Sequence, residues 1–312
     1  MFALLRTLGD GQFHSGEVLA TQRGRSGSHG GQRVPTLERD YGRTLQHVGG
    51  RGYRLTPAIE WCDARTISAL AGGGWNVEIA DEIDSTNTAL LTRAGNGCPG
   101  GLALFAEVQT AGRGRRGRRW QARVGESLTF SALWRFEGGI GRLSGLSLAV
   151  GVAIVRALAH FGLPVALKWP NDVLMDGRKL AGILIELAGD SLGPTAVVIG
   201  IGINLTPPAV VDQPVTGTRS IRPELGRNAI AGRLLAELGD VLDLFAREGF
   251  DALRDEWQRL FAWQGQAIAV HQPDGNIVHG IAIGVDATGA LRVRTASGDI
   301  VVHAGDVSLR MA

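Results

Sequence analysis

The chain has 312 residues, 44% hydrophobic and 20% charged, with a formal net charge of +2, which fits a globular protein of two or three domains and excludes one devoted to coating nucleic acid. Its two cysteines, Cys62 and Cys98, form no Cys-x-x-Cys pair and its seven histidines show no zinc-ligand spacing, so a metal held by protein ligands alone is not expected. The opening "MFALLRTLGDGQF" lacks a charged segment before a long apolar run, and no uninterrupted apolar stretch approaches 18 residues, so no membrane association is expected and the reducing cytoplasm is the expected compartment.

Residues 1–62 begin with the helical pattern "FALLRTL", continue through "GQFHSGEVLA" and close on "LQHVGGRGYRL", a short strand and glycine-rich turn. That order resembles a winged helix-turn-helix, and eight arginines against five acidic residues suit a DNA surface. Between Ala20 and Val34, however, "TQRGRSGSHGGQR" has four glycines and no large apolar residue. A recognition helix needs an apolar stripe to dock it, and glycine costs about 1 kcal/mol per interior helical position relative to alanine. The region is therefore read as a winged-helix remnant whose DNA binding is doubtful. Arginines 23, 25 and 33, joined by Arg6 or by Arg51 and Arg54 of the turn, remain as phosphate contacts without base discrimination.

Residues 63–262 mix strands and helices. "VEIADEIDSTNTALLTRAG" runs from a strand into a helix that Asp84, Ser85 or Thr86 can cap. "GLALFAEVQT" reads as a buried strand, and "SLTFSALWRF" alternates Leu128, Phe130, Ala132, Trp134 and Phe136 with the period of two of a strand. "GLSLAVGVAIVRALAHFG" is helical and Gly162 can end it. "VALKW", "LAGILIEL" and "TAVVIGIGINL" are three more strands, and a helix over about 228–247 buries Ile230, Leu234, Leu238, Val241 and Phe245. The expected class is α+β around a mixed sheet. In residues 263–312, short Val- and Ile-rich segments broken by "PDGN", "DATG" and "SGD" predict a small β-barrel.

"GRGRRGRRW" (112–120) holds five arginines, three glycines and a tryptophan. Taken alone it suits nucleic acid, a small phosphorylated ligand wrapped by a glycine-rich backbone, or nothing beyond solvent. The basic residues comprise thirty arginines and only two lysines, Lys168 and Lys179, both within "KWPNDVLMDGRK". Lysine is a compact point charge where arginine is a planar fork, so a site needing the former cannot accept the latter. Both lysines are therefore candidates.

Four motifs follow in order: "DSTN" (84–87), "QTAGRGRRGRRW" (109–120), "KWPNDVL" (168–174) and "KLAGILIE" (179–186), trailed by "GIGINL" (200–205). Together they resemble the biotin protein ligases, and the N-terminal and C-terminal regions resemble the longer, repressor-type members. The resemblance covers nearly the whole chain. It implies that biotin's carboxylate attacks the α-phosphate of ATP, and that a lysine of a biotin carboxyl carrier protein then displaces AMP. ATP and Mg²⁺ are the implied cofactors, and a homodimer is an implied assembly. Implied biotin-binding residues are Ser85, Thr86, Asn87, Gln109, Arg113, Gly114, Arg115, Lys179 and Gly182. Arg116, Arg118, Trp120, Lys168, Asn171 and Asn204 are implied at the nucleotide. Lys179, Arg115 and Asp172 are the catalytic candidates, with Asp172 beside Mg²⁺ or the incoming amine.

Each has a plainer alternative: Ser85 and Thr86 as helix caps, Trp120 as a core anchor, Asn171 as a turn former, and Gly200, Gly202 and Asn204 as tight strand packing. The glycines are expected to leave the arginine loop open until a ligand orders it. A lipoate ligase, a DNA-binding repressor and an RNA-binding protein are the competing classes. The absence of GxxxxGK[ST] disfavours a P-loop nucleotidase.

Overall fold

A computed structural model of the protein describes residues 2–21, 41, 44–188, 194–208, 213–272, 275–305 and 307–311. Among the described residues the N-terminal region shows short helices α1 (Phe2–Leu8) and α2 (Gly16–Thr21) and a hairpin of β1 (Leu45–Val48) and β2 (Gly52–Leu55). Leu4, Leu5, Leu8, Leu19 and Leu55 form a small core with Tyr41, Ile59 and Val124. Positive φ at Gly50 and Gly52 turns the hairpin, and a Cβ on Gly52 would collide with the His14 carbonyl. Most of the glycine-rich segment after Ala20 lies outside the described residues. Arg6, still 39% exposed, pairs with Asp81 at 2.5 Å and lies 4.8 Å over the Trp61 ring.

The central unit is one seven-stranded sheet in the order β3-β4-β5-β9-β8-β7-β6. Its strands are β3 (Asn76–Ile83), β4 (Leu102–Gln109), β5 (Ser127–Phe136), β6 (Val165–Lys168), β7 (Asp172–Met175), β8 (Arg178–Ala188) and β9 (Thr195–Asn204). β3 and β4 run parallel, so their connection needs a crossover, and α4 (Thr86–Gly95) supplies it. The other neighbouring pairs are antiparallel, which makes the mixed sheet the sequence predicts.

One face of the sheet packs on α3 (Ala64–Leu70), α5 (Leu146–His160) and α6 (Arg227–Glu248). On the other, α4 covers only part, through Leu90, Ala94, Leu104, Leu133 and Val198. β5 is central and buried on both faces: Leu128, Phe130, Ala132 and Phe136 join the helices, while Thr129 and Ser131 are buried polar residues on the other side. The span Ile140–His160 has the length and mean hydropathy of a membrane-crossing helix, which counting uninterrupted apolar runs does not detect, but 61% of its window is buried and its helical part is the core helix α5. The sequence reading also lacks α3, β7 and α7 (Asp251–Leu260), all ten residues or shorter.

The C-terminal strands β10 (Ala267–His271), β11 (Ile277–Val285), β12 (Leu291–Thr295), β13 (Gly298–Val302) and β14 (Ser308–Met311) form an antiparallel sheet in the order β13-β12-β11-β10-β14. Among the described residues its ladder does not return from β14 to β13, so the expected barrel is here a five-stranded sheet with two edges. The Asp286 carboxylate builds the "DATG" turn by accepting from Thr288 N and Ala290 N at 2.8 and 3.0 Å. Trp169, buried in the "KWPND" turn, donates Nε1–H to the Gly289 carbonyl at 3.0 Å and ties this turn to the central sheet.

Candidate active site

Where α4 leaves the sheet uncovered, a cleft of about 490 Å³, its open mouth included, lies over β5, β9 and β8. Its floor is a chain of buried polar side chains. Ser85 is the N-cap of α4 and its hydroxyl accepts from Thr88 N at 3.4 Å, so the capping alternative holds at least in part. Helix starts leave backbone N–H groups unpaired; that of Thr86 donates to Gln109 Oε1 at 2.8 Å. The Thr86 hydroxyl meets Ser131 Oγ at 2.6 Å, Ser131 donates to Asn87 Oδ1, and Asn87 Nδ2 donates to Glu186 Oε2 at 2.7 Å. Thr86, Asn87 and Ser131 are almost wholly inaccessible.

Two β9 glycines make this floor possible. A Cβ on Gly200 would overlap Asn87 Oδ1, and one on Gly202 would overlap the Trp120 ring. Tight packing therefore accounts for both, with the cleft as its purpose. Trp120 covers Gly202 and approaches Gly182, while its Nε1–H is buried without a hydrogen-bond partner.

The arginine loop is a compact hairpin. Gly114 N donates to Arg118 O at 2.7 Å, Trp120 N to Gly112 O at 3.0 Å, and Arg113 bridges Arg119. Arg116 and Gly117 take left-handed conformations, φ 58° and 68°, at its tip. Arg113 pairs with Glu186 at 2.7 Å. Arg115 donates to Asn171 Oδ1 at 2.9 Å and to the Gly305 carbonyl of the C-terminal sheet. Arg116, Arg118 and Arg119 are exposed.

Cations gather at the other wall. Lys168 and Asp172 face each other across the β6-β7 hairpin. A β-bulge interrupts the β7-β8 register at Val173 and Leu174, and Lys179 reaches Asp172 at 2.7 Å with both side chains mostly buried. Lys168 lies 4.6 Å over the Trp263 ring. Burial lowers its pKa, and Lys179, Arg118 and Arg310 add to the shift against the opposing Asp172 carboxylate.

Most of the expected residues thus converge. Ser85, Thr86, Asn87, Gln109 and Gly182 line the cleft floor; Arg113, Gly114, Arg115 and Trp120 cover it; Asn171 and Lys179 form its far wall. Lys168 and Asp172 stand behind Lys179, and Arg116 and Arg118 lie at the hairpin tip, outside the lining. Asn204 is buried at the end of β9 and also lies outside it. Asn171 is more than a turn former: it takes Arg115 on Oδ1 and donates Nδ2–H to the Ile183 carbonyl at 2.9 Å. The sequence reading omitted Ser131, Glu186, Arg310 and the Gly305 carbonyl. A charged residue within the apolar strand "LAGILIEL" was the available signal for Glu186; the C-terminal groups carried none.

Comparison with known proteins agrees with this geometry. Residues 79–204 match the Biotin/lipoate A/B protein ligase family and residues 265–310 the Biotin protein ligase C terminal domain. The chain is 37% identical over 317 residues to the bifunctional ligase/repressor BirA of Escherichia coli, covering 99% of this chain and 97% of that one. It is 37% identical over 265 residues to the biotin–[acetyl-CoA-carboxylase] ligase of Mycobacterium tuberculosis, covering 81% and 97%. Among solved structures, the biotin protein ligase from Aquifex aeolicus in complex with biotin and ATP superposes with a TM-score of 0.67 at 26% identity, covering 76% and 99%.

Proposed function

The chain belongs to the biotin protein ligase family, and from that premise we propose that its cleft activates biotin with ATP and passes it to a lysine of a biotin carboxyl carrier protein. A biotin carboxylate oxygen attacks the α-phosphorus, forming an acyl phosphate bond as the bond to the β-phosphate breaks and pyrophosphate leaves. The neutral amine of the carrier lysine then attacks the acyl carbon; the bond to AMP breaks, AMP leaves, and the amine sheds its proton.

Both steps bring anions together, and preorganised cations lower that barrier. Lys179 and Arg115 are assigned to the reacting carboxylate and α-phosphate. Lys168, Arg116 and Arg118 are assigned to the nucleotide's outer charge, with Arg310 added from the C-terminal sheet. Trp120 offers its ring to adenine, and its unpartnered Nε1–H supports a polar acceptor nearby. Ser85, Thr86 and Gln109 hold the uncharged ureido ring, with Arg113 and Gly114 above. Asn204, outside the cleft lining, receives no direct contact.

Asp172 does not suit Mg²⁺. Its Oδ1 is 2.7 Å from the Lys179 ammonium, which occupies that oxygen. Mg²⁺ would be held on the phosphates of ATP, where it would offset their charge. Asp172 instead fixes Lys179 and stands near the incoming amine.

The observation that carries this reading is the convergence of Ser85, Thr86, Gln109, Arg115 and Lys179 on one cleft. Incubation with biotin, ATP, Mg²⁺ and a carrier domain should release pyrophosphate and add one biotin to the carrier; no release would refute it, and preference for lipoate would reassign the substrate. A second reading, DNA binding by a dimer, rests on the ligase/repressor relatives and on the N-terminal helices and hairpin. The sequence after Ala20 argues for a weak, unselective form of it. The cytoplasm is the proposed location.

A further inference from the structure

Glu186 is in no substrate-facing role above, yet the floor and the loop both end on it. Its Oε2 accepts from Asn87 Nδ2 and from Arg113 Nη2, each at 2.7 Å. An ionised carboxylate only accepts, so Asn87 must present its NH₂ to Glu186 and its oxygen to Ser131. Ser131 then donates to Asn87, and its own oxygen must accept from Thr86. The Thr86 hydroxyl has one proton and two acceptors in reach, Ser131 Oγ at 2.6 Å and Gln109 Oε1 at 3.1 Å; once Ser131 donates to Asn87 the shorter contact takes that proton, and Gln109 Oε1 is held by the Thr86 backbone N–H at 2.8 Å. One carboxylate orients three side chains in sequence, Asn87, Ser131 and Thr86. Each hydroxyl in such a chain, drawn toward an anion, becomes a stronger acceptor at its own oxygen. Asn87 is packed against Gly200, where even a methyl group would overlap it, so exchange of its oxygen and nitrogen is the arrangement that competes with this one.

We propose that Glu186 is a positioning residue for the biotin step: through Asn87 and the buried Ser131 it sets the hydrogen-bond polarity of the cleft floor, making Thr86, which lines the cleft, an oriented acceptor for a ligand N–H group, and it anchors the arginine loop through Arg113. This rests on the ligase reading. Glu186→Gln keeps the shape, but a neutral amide both donates and accepts, so the polarity is no longer fixed. Losing one charge-assisted orientation should raise the Kd for biotin roughly tenfold while the KM for ATP stays within about twofold. Adding Asn87→Asp to Glu186→Gln moves the acceptor-only group one place along: the new carboxylate accepts from both Ser131 and the glutamine amide. Biotin affinity should then return to within about threefold of the parent, while the loop, still lacking its carboxylate, releases biotinyl adenylate faster than the parent does.

The test is calorimetric titration of the full chain with biotin, steady-state KM for ATP, and near-UV circular dichroism as the fold control. If the parent fails to bind biotin, the ligase reading falls and this inference with it. If the parent binds and Glu186→Gln is unchanged, or raises both constants equally, the role of Glu186 is refuted while the ligase reading stands. Failure of the double variant to recover would refute the polarity account.

Discussion

Replacing Glu60 tests whether the segment before the ligase unit is also part of it. Glu60 precedes the central domain in sequence, yet its carboxylate caps α6: Oε2 accepts from Arg227 N at 2.7 Å, and Oε1 from Asn228 N and Nδ2 at 3.3 and 2.9 Å. The N-cap residue itself, Gly226, supplies no side-chain bond, and a Cβ there would lie 2.8 Å from the Glu60 oxygens. Arg227 is 1% exposed and also donates Nε–H to the Glu60 carbonyl and a guanidinium N–H to buried Glu107. Losing a cap costs about 0.5 to 2 kcal/mol, and losing a charge-assisted bond about 1.5 to 3. Because one carboxylate does both, Glu60→Ala should cost about 2 to 4 kcal/mol, a fall in Tm of roughly 4 to 12 °C for a protein of this size. Glu60→Gln, which keeps acceptor and shape, should lose about half of that. Differential scanning calorimetry of the three chains decides it, and a loss under about 1 °C for Glu60→Ala would show that the clasp carries no stability. A truncation beginning at Ala58 should keep ligase activity, and one beginning at Trp61 should keep less of it at 37 °C.

Lys179→Arg should slow adenylate formation by roughly tenfold or more, about 1.4 kcal/mol of barrier, because a planar fork cannot replace an ammonium held against Asp172; parent-like pyrophosphate release would refute the point-charge argument. Burial gives Lys168 a lower pKa than an ordinary lysine, so its charge is present at low pH and is lost as pH rises through the folded value, below that of the unfolded chain. ATP binding should weaken along that limb, and stability should gain there as the buried charge is relieved; a KM for ATP that stays flat with pH in the parent, or a limb unmoved in Lys168→Arg, would count against it. Residues 1–62 should bind DNA weakly, with a steep salt dependence and no preference for a biotin-operon fragment over random DNA; gel-shift titrations showing tight binding to the operator alone would refute this.

The elements legible in the sequence are those with a period or a run. β5 shows its alternation, α5 and α6 their helical spacing, and β4, β8 and β9 their apolar runs. The cleft was legible through motif order, which brought Ser85, Gln109, Arg115 and Lys179 into one reading. The connections between those motifs were not. Asn87 and Glu186 are 99 residues apart, Asn87 and Ser131 44, and Glu60 and Arg227 167; side-chain bonds over such distances leave no periodic trace. What the sequence did carry was a set of misplaced charges: Glu107 in "LALFAEVQ" and Glu186 in "LAGILIEL" are carboxylates inside apolar strands, where an ionised group must have a partner. Each has an arginine partner. The expected barrel is seen among the described residues as a five-stranded antiparallel sheet, because turn spacing fixes strand number and leaves closure to register.

The distribution of cations follows from what surrounds each position. Arg113 is 41% exposed and meets a carboxylate; Arg115 spans an amide oxygen and a backbone carbonyl. A fork of five donors suits such sites because water or several acceptors can satisfy what the first partner leaves. Lys179 is 18% exposed, with the Asp172 carboxylate on one side and Gly182 against its stem, and Lys168 rests on the Trp263 ring. In that enclosure the five donors of a guanidinium would need more acceptors than Asp172 alone supplies, at about 1 to 3 kcal/mol for each buried donor left unpaired. An ammonium has three donors on a narrow stem, and at Lys179 those not turned to Asp172 can face the cleft. A chain that uses arginine thirty times therefore keeps lysine at the two positions where the second donor array would have nowhere to go.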